Sequence, residues 1–579
     1  MILVFGGTTE GRQAIDVLEE SGQTFYYSTK TGEQNVILHH GQRVDGAMDE
    51  EVMEAFCREH DVRLIVDAAH PFAQQLHLTV ASVSGKLRLP AIRYERIFPE
   101  RSTDLTWLDD YDQLPADIGT LLATTGVQSI ARLKRLELAG VKMVYRILDR
   151  PSSIALAHRQ GATDDQLCFY TEGGGLGNVQ ADAVLMKESG MSGGFREKVD
   201  EAKRRGMSVF VLKRPETPVA FHQVNGPHGL RRMIERLLPE FFPLKSGLTT
   251  GTCATAAAVA AALCLVKDAK PQEVPVVLPN GETIMVAVGY GDGYAFVRKD
   301  SGDDPDITNG AEVRAYVTPG PTAGVVIRGG EGVGVFTLPG FDFPPGSAAI
   351  NRVPREMICR NVAPIATDVV VTISVPEGKQ LARKTFNPRL GIEGGISIIG
   401  MSGIVKPYSE EAFIESIRKC MTVAKASGTQ RVVINSGAKS ERYVRARYPD
   451  LPQQAFVEYG NYIGEALAMA CELDFGQVTL GIMLGKAVKL AAGQLDTHSR
   501  RATMDKAFVA TMLGEVGCKM DITGITLARE LWERLPDDLV QPFVDVVIAH
   551  CMEHCAPLLK KDALTILLVD DEGNIYESG

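Results

Sequence analysis

The chain reads as an α/β and α+β protein assembled in two halves: two Rossmann-like lobes first, then an α+β domain followed by an α/β domain with a parallel sheet. Three observations predict this. From Ile2 to about Glu240, short β-branched runs alternate with amphipathic helices, the pattern of parallel strands joined by crossover helices. The sequence also opens twice, with strand, glycine turn and helix at 1–22 ("MILVFGGTTEGRQAIDVLEESG") and again with a small-residue turn and alanine helix at 245–263 ("KSGLTTGTCATAAAVAAAL"). Finally, 579 residues exceed what one hydrophobic core holds.

Composition narrows the partners. With 45% hydrophobic and 23% charged residues each half can bury a core, and 72 acidic against 61 basic side chains give a net charge of −11. That balance argues against nucleic acid or an anionic membrane as partner and favours small molecules. No signal peptide precedes the first strand and no uninterrupted apolar run reaches about 20 residues, so a cytoplasmic location is expected. The 10 cysteines follow no framework spacing and are read as reduced thiols.

In the first half, "ILVFGG", "TFYYSTK", "VRLIVDAAH" and "PAIRYERI" are the strands expected of one lobe, and "TLLATTG", "KMVYRIL", "ADAVLMKESG" and "MSVFVLKRP" those of the other. Ligands of such sheets bind beyond the carboxyl ends of the strands. "GGTTEGR" lies at one such end: Gly6 and Gly7 permit a tight turn, Gly11 permits close helix packing, and the helix N-terminus favours a phosphate. The fingerprint is imperfect. Thr8 replaces the middle glycine, and Thr29 and Lys30 stand where an acid would follow the second strand. Lys30 either faces a 2′-phosphate, favouring NADPH over NADH, or is a solvated surface lysine.

Taken together, "GGTTEGR", "DAAHPFA" (67–73), "TTG" (124–126), "KESGMSGG" (187–194) and "LKRP" (212–215) resemble precorrin-6A reductase, over residues 1–243 with lobes at about 1–105 and 106–243. The resemblance implies hydride delivery from NADPH or NADH to a macrocyclic tetrapyrrole in a cleft between the lobes. It carries Gly6, Gly7, Thr8, Thr9, Glu10 and Gly11 over as nucleotide-binding, with Thr125 and Gly126 on the cofactor side. It makes Ser189, Gly190 and Lys213 substrate-side cleft walls. His70 is either a proton donor to the reduced substrate or a strand-end histidine that ties its loop.

In the second half, Thr249, Thr250, Gly251 and Thr252 cap the alanine helix, whose N-terminus is a candidate for a substrate anion; a plain buried helix is the simpler reading. "YAFVRKDSGDDPDITNGAEV" collects Asp300, Asp303, Asp304 and Asp306, with neither the glycine nor the terminal glutamate of a calcium loop. "GVGVFTLPG", "AINRVPREMI" and "FNPRLGIEGGISIIGMSGIVKP" continue an α+β domain at about 246–408. From about 409 to 579 strands and helices alternate again through "RVVINSG", "EYGNYIGEALAMACEL" and "QVTLGIMLGKAVKLAAG".

These segments, above all "GDDPDITNGAEV" and "NPRLGIEGGISIIG", resemble cobalt-precorrin-5B C1-methyltransferase over 246–579. The resemblance implies S-adenosyl-L-methionine as methyl donor and methylation at C1 of a cobalt-containing tetrapyrrole with loss of acetaldehyde, giving the substrate of the first half. The whole is then a bifunctional enzyme of cobalamin (vitamin B12) biosynthesis. Asp304, Asp306 and His498 are the candidates for activating water. Ser436, Gly437, Gly460, Asn461 and Gly485, at three glycine-bearing strand ends, are candidates for holding the adenosine group. Arg352, Arg355 and Arg389, together with Lys406, are candidate clamps for the substrate's carboxylates. "HCMEHC" (550–555) is read as an apolar core helix, since four ligands on one helix cannot converge on a metal. A dinucleotide-binding sensor fused to a small-molecule kinase-like domain is the rival reading, weakened by the missing P-loop lysine. The oligomeric state stays open.

Overall fold

In the computed structural model all residues are described except 31, 33, 171–174, 499–502 and 579. The chain divides into two compact units: one of Met1–Ser246 plus Val277–Met285, the other of Gly247–Val276 plus Val286–Gly579. A cut at 243–246 therefore does not separate them cleanly, because a short stretch from further along the chain packs with the first unit. Within that unit Glu282, almost fully buried, accepts the Gly229 N–H (2.9 Å), and Asn225 Oδ1 accepts the Thr283 N–H (2.8 Å).

The first unit holds two six-stranded parallel sheets. Its elements are β1 (Ile2–Phe5), α1 (Thr9–Glu19), β2 (Phe25–Thr29), β3 (Gly41–Asp45), α2 (Glu50–Glu59), β4 (Leu64–Asp67), α3 (Gln74–Leu87) and β5 (Ala91–Tyr94), then β6 (Thr106–Leu108) and β7 (Thr120–Ala123). They continue with α4 (Ile130–Leu138), β8 (Lys142–Leu148), α5 (Pro151–Arg159), β9 (Leu167–Tyr170), β10 (Ala183–Lys187), α6 (Phe195–Arg204), β11 (Ser208–Leu212), β12 (His222–Val224) and α7 (Pro227–Leu237). The sheets run β12-β5-β4-β1-β2-β3 and β6-β11-β10-β7-β8-β9. The central strands are apolar on both faces, as sheets covered by helices on both sides require. All eight expected strands are present. The lobe boundary needs a correction: β12 pairs with β5, so the chain returns at the end to the first sheet, and Leu230 and Ile234 of α7 join that lobe's core. Three-residue strands such as β6 and β12 carry too little periodicity to be seen in sequence.

The second unit contains a five-stranded mixed sheet and a second five-stranded sheet. In the mixed sheet, Glu312–Pro319 and Val369–Ser374 form the centre. The alanine helix Thr250–Lys267 packs on it and on the helix Arg352–Val362. Among the described residues it is the one helix long and apolar enough to cross a membrane, and most of it is buried in the protein. The second sheet places Arg431–Asn435 between Phe456–Glu458 and Gln477–Met483, followed by Leu564–Val569, all parallel, with Ile575–Tyr576 antiparallel at the edge. Arg431–Asn435 leads through the helix Ala438–Arg447 to its neighbour on one side, and the chain then crosses to Gln477–Met483 on the other. That reversal is a topological switch point, the place where such sheets open a crevice for ligands.

Candidate functional site

In the first unit the switch point lies between β1 and β4. The turn after β1 is pinned by Thr8, whose Oγ1 accepts the Gly11 N–H (3.0 Å) and donates to the Ala68 carbonyl (2.7 Å), tying the start of α1 to the end of β4. Gly6 and Gly11 are packing positions: a Cβ on Gly6 would lie 2.0 Å from the Tyr27 hydroxyl, and one on Gly11 would lie 2.8 Å from the Gly6 Cα. Gly7 differs. Its φ of +91° excludes most side chains, while the space over it is open. Its N–H donates to the Tyr27 hydroxyl (3.0 Å) and to Gln34 Oε1 (3.2 Å), and Gln34 Nε2 donates to the Thr8 carbonyl (3.0 Å). Gln34 thus occupies the donor that an anion would take.

A cleft of about 790 Å³ opens here, lined by Gly6, Gly7, Thr8, Arg12, Lys30 and His70, among others. Arg12 and Lys30 are exposed cations with no ion pair among the described residues. His70 sits at the end of β4 with Nδ1 accepting the Phe72 N–H (3.2 Å), which leaves the hydrogen of the neutral ring on Nε2. Burial, reinforced by the charges of Arg96 and Lys187, holds its pKa down at about 3. An imidazolium is therefore absent near neutrality, and any proton His70 supplies must come from the neutral ring. Lys187, at the end of β10, stands 5.0 Å from the Phe72 ring centroid, and burial lowers its pKa.

Other expected residues take different places. Glu10 is buried and paired with Arg96 Nε (3.0 Å) and with the Ser192 hydroxyl, while Arg96 Nη1 donates to the Ser189 carbonyl (2.7 Å). Glu10 therefore locks the lobes together instead of touching a nucleotide. Gly190 packs on this lock, since a Cβ there would meet Arg96 Cβ at 2.9 Å. Thr9 starts α1 and points outward. Thr125 is buried against Ser129 (2.6 Å) beside Gly126, away from the residues lining the cleft. Lys213 is spent on Asp109 (2.8 Å). Arg96 was invisible in the sequence, because its partners, Glu10 and Ser189, lie in two distant segments.

In the second unit the threonine turn is a joint. Thr249 Oγ1 accepts the Thr252 N–H (3.2 Å), Thr250 Oγ1 accepts the Ile399 N–H (2.9 Å), and Thr252 Oγ1 donates to the Gly403 carbonyl (2.6 Å). All three threonines are buried, and Gly251 packs on Pro354. These groups have no free surface for a substrate anion. Asp306 pairs with the buried Lys299 (2.7 Å) and accepts from Thr308, which together hold its pKa below the ordinary value against burial; Asp304 accepts the Tyr408 N–H (3.2 Å). Arg352 meets Asp342 at the surface, and Arg355 is half buried on backbone carbonyls at Ile350 and Ala348. Cys551 and Cys555 are buried in the core and His550 bonds Glu515 (3.0 Å); among the described residues no group of three or more such side chains is arranged to hold a metal.

The glycine-bearing strand ends do come together, at the carboxyl edge of the parallel sheet. Gly437 N–H donates to Asn435 Oδ1 (3.2 Å), Ser436 is held by Ser440, and the Lys486 ammonium donates to the Gly460 carbonyl. Gly485 lies one residue before that lysine. Asn461 accepts the Thr497 N–H (3.0 Å), which brings the loop of His498 to the same edge; His498 N–H itself donates to Asp496 (3.0 Å). Glu458 ends its strand here with its carboxyl pKa raised by burial, and burial lowers that of Lys486 to about 8. Both lay inside the sequence motifs "EYGN" and "MLGK" without standing out from them. Their strand-end position was the available signal.

Two Rossmann crevices in separate compact units define a two-part α/β enzyme. The comparisons say of which kind. Residues 1–230 match the family described as precorrin-6x reductase CbiJ/CobK, 239–407 match CbiD, and 496–578 match the CbiD C-terminal domain. A cobalt-precorrin-5B C(1)-methyltransferase of Brucella anthropi is 40% identical over 57% of this chain and 95% of its own; one of Prosthecochloris aestuarii is 40% identical over 56% and 94%. Among solved structures, the cobalamin biosynthesis protein cbiD of Archaeoglobus fulgidus aligns with TM-score 0.26 and 32% identity over 45% of this chain and 83% of that one. A CobK precorrin-6A reductase aligns with TM-score 0.34 and 18% identity over 42% and 98%. The chain belongs to the cobalt-precorrin-5B C(1)-methyltransferase family and carries a precorrin-6x reductase region ahead of it; it is a bifunctional enzyme of cobalamin biosynthesis.

Proposed function

We propose that the second unit methylates C1 of cobalt-precorrin-5B with S-adenosyl-L-methionine, and that the first reduces the product, cobalt-precorrin-6A, with NADPH. The observation that carries the reductase half is the open, positive-φ turn at Gly7 inside the cleft walled by His70. A bound nicotinamide supplies the hydride there, so the chain's own work is placement. Gly7 lets a pyrophosphate approach the backbone and displace Gln34. Arg12 and Lys30 offer charge to a 2′-phosphate, which favours NADPH over NADH. His70, neutral, presents its Nε2–H to the substrate, with the cation of Lys187 behind it.

In the second unit a bound sulfonium supplies the methyl group, and the strand ends at Ser436–Gly437, Gly460–Asn461 and Gly485 hold its nucleoside. Arg389, expected as a clamp for a substrate carboxylate, pairs with Glu441 (2.7 Å) instead. The proposed step is methyl transfer alone. Acetaldehyde release needs an activated water, and Asp304 and Asp306 are both occupied by protein partners.

The two steps are consecutive, so one experiment tests both. Given cobalt-precorrin-5B, the intact protein oxidises NADPH only when S-adenosyl-L-methionine is present, yielding the methylated dihydro product by mass spectrometry. Nucleotide oxidation without the methyl donor, or methylation with no reduction following, would overturn the assignment.

A further inference from the structure

The strand Phe456–Glu458 is the second strand of a mononucleotide-type half: Arg431–Asn435, the Ser436–Gly437 turn, the helix Ala438–Arg447, then this neighbour. In halves of this topology the end of the second strand, about 20 residues beyond the turn, is where an acidic side chain meets a ribose hydroxyl. Glu458 occupies that position, and three observations set it apart from a structural glutamate. It is half buried, yet its carboxylate makes no hydrogen bond or ion pair among the described residues, which is costly for a charge away from water. The two cations within electrostatic reach are bonded elsewhere: Arg389 Nη1 to Glu441 Oε2 (2.7 Å), and Lys486 to the Gly460 carbonyl. And the carboxylate leans over the turn, since a Cβ placed on Gly437 would lie 3.4 Å from Glu458 Oε1. Only a glycine leaves room for a ligand between them.

We infer that Glu458 is the ribose-binding residue of the second unit, its carboxylate accepting hydrogen bonds from the sugar diol of a nucleoside laid across the Ser436–Gly437 turn. The inference rests on the reading of this unit as the one that takes S-adenosyl-L-methionine, and names the group that recognises its sugar. A diol provides two O–H donors, matching a carboxylate with its acceptors open. Burial lifts the carboxyl pKa, and the ligand's donors would return it to the charged form.

The test is calorimetry on the intact chain with S-adenosylhomocysteine and with its 2′-deoxyribose counterpart, using the unaltered protein and Glu458→Gln. The unaltered protein should bind the deoxy ligand about 10- to 100-fold more weakly, the worth of a hydrogen bond to a charged group. Glu458→Gln should lose a similar factor for the full ligand and discriminate between the two far less. The deoxy arm uses unaltered protein, so misfolding of the variant cannot produce the result. If both ligands bind the unaltered protein equally, Glu458 is not the sugar's partner, although the methyl-donor reading survives. If S-adenosylhomocysteine fails to bind the unaltered protein at all, that reading and this inference fall together.

Discussion

The two Rossmann halves of this protein, β1–α1–β2 near the start and Arg431–Asn435 to Phe456–Glu458 near the end, share a skeleton and differ at the strand end and in the turn. Each runs from strand through glycine turn and helix to a parallel neighbour on the same side. In the first, Lys30 follows the second strand; in the last, Glu458 ends it. The skeleton supplies turn and crevice in both cases, and the side chain at the strand end decides what the sugar may carry. A cation suits a phosphorylated ribose, whereas a carboxylate suits a free diol and repels phosphate. The turns differ in parallel. Gly6 and Gly11 pack against Tyr27, leaving Gly7 as the open residue, whereas a Cβ on Gly437 would meet the Glu458 carboxylate and no other group among the described residues.

The strongest way to break the comparison is Gly7→Val. A β-branched residue at φ +91° is strained and its methyls fill the open space, so the nucleotide Michaelis constant should rise by about 100-fold, strain of roughly 1–3 kcal/mol adding to lost approach. Methyl transfer in the same preparation should be unaffected. An unchanged constant would move the nucleotide elsewhere.

Next in size is an exchange of strand-end charge. Lys30→Glu imports the other half's character into the first, and the ratio of NADPH to NADH specificity should fall by about 10-fold or more. A ratio that does not move would leave Lys30 a solvated side chain and Arg12 the cation to test.

The pH response sharpens the contrast. Burial raises the pKa of Glu458, and diol binding favours its ionised form, so affinity for S-adenosylhomocysteine is full above that raised value and falls as pH drops through it. Arg389, Glu441, Lys486 and Cys420 surround it; Lys486, lowered to about 8, titrates on the alkaline side. In Glu458→Gln the acidic fall should vanish, as measured by calorimetry across the pH range. The reductase should show no matching histidine step between pH 5 and 8, because His70 stays neutral down to about 3.

The smallest effect concerns Gln34. Gln34→Ala removes the side chain that occupies the Gly7 N–H, and nucleotide affinity should rise by a few-fold, about the net worth of one neutral hydrogen bond. Weakened binding in a titration would show that Gln34 contacts the nucleotide itself.

Much of this was legible in the residues alone. The alternation of β-branched runs with amphipathic stretches, the glycines after "ILVF" and the second opening at Lys245 are local patterns, and short-range physics writes them directly: periodicity for strands and helices, φ freedom for turns. The motifs that place the halves in their families are equally local. What only the tertiary structure decided depends on residues far apart in sequence. The return of β12 to β5, the packing of Val277–Met285 into the first unit, the Glu10–Arg96–Ser189 lock and the burial of the Thr249–Thr252 hydroxyls against 397–403 each join distant segments. Glu458 shows the reason most plainly. Its sequence neighbours say only that a strand ends there; its open carboxylate exists because Arg389 found Glu441 and Lys486 found Gly460, pairings that three-dimensional proximity creates and no local pattern encodes.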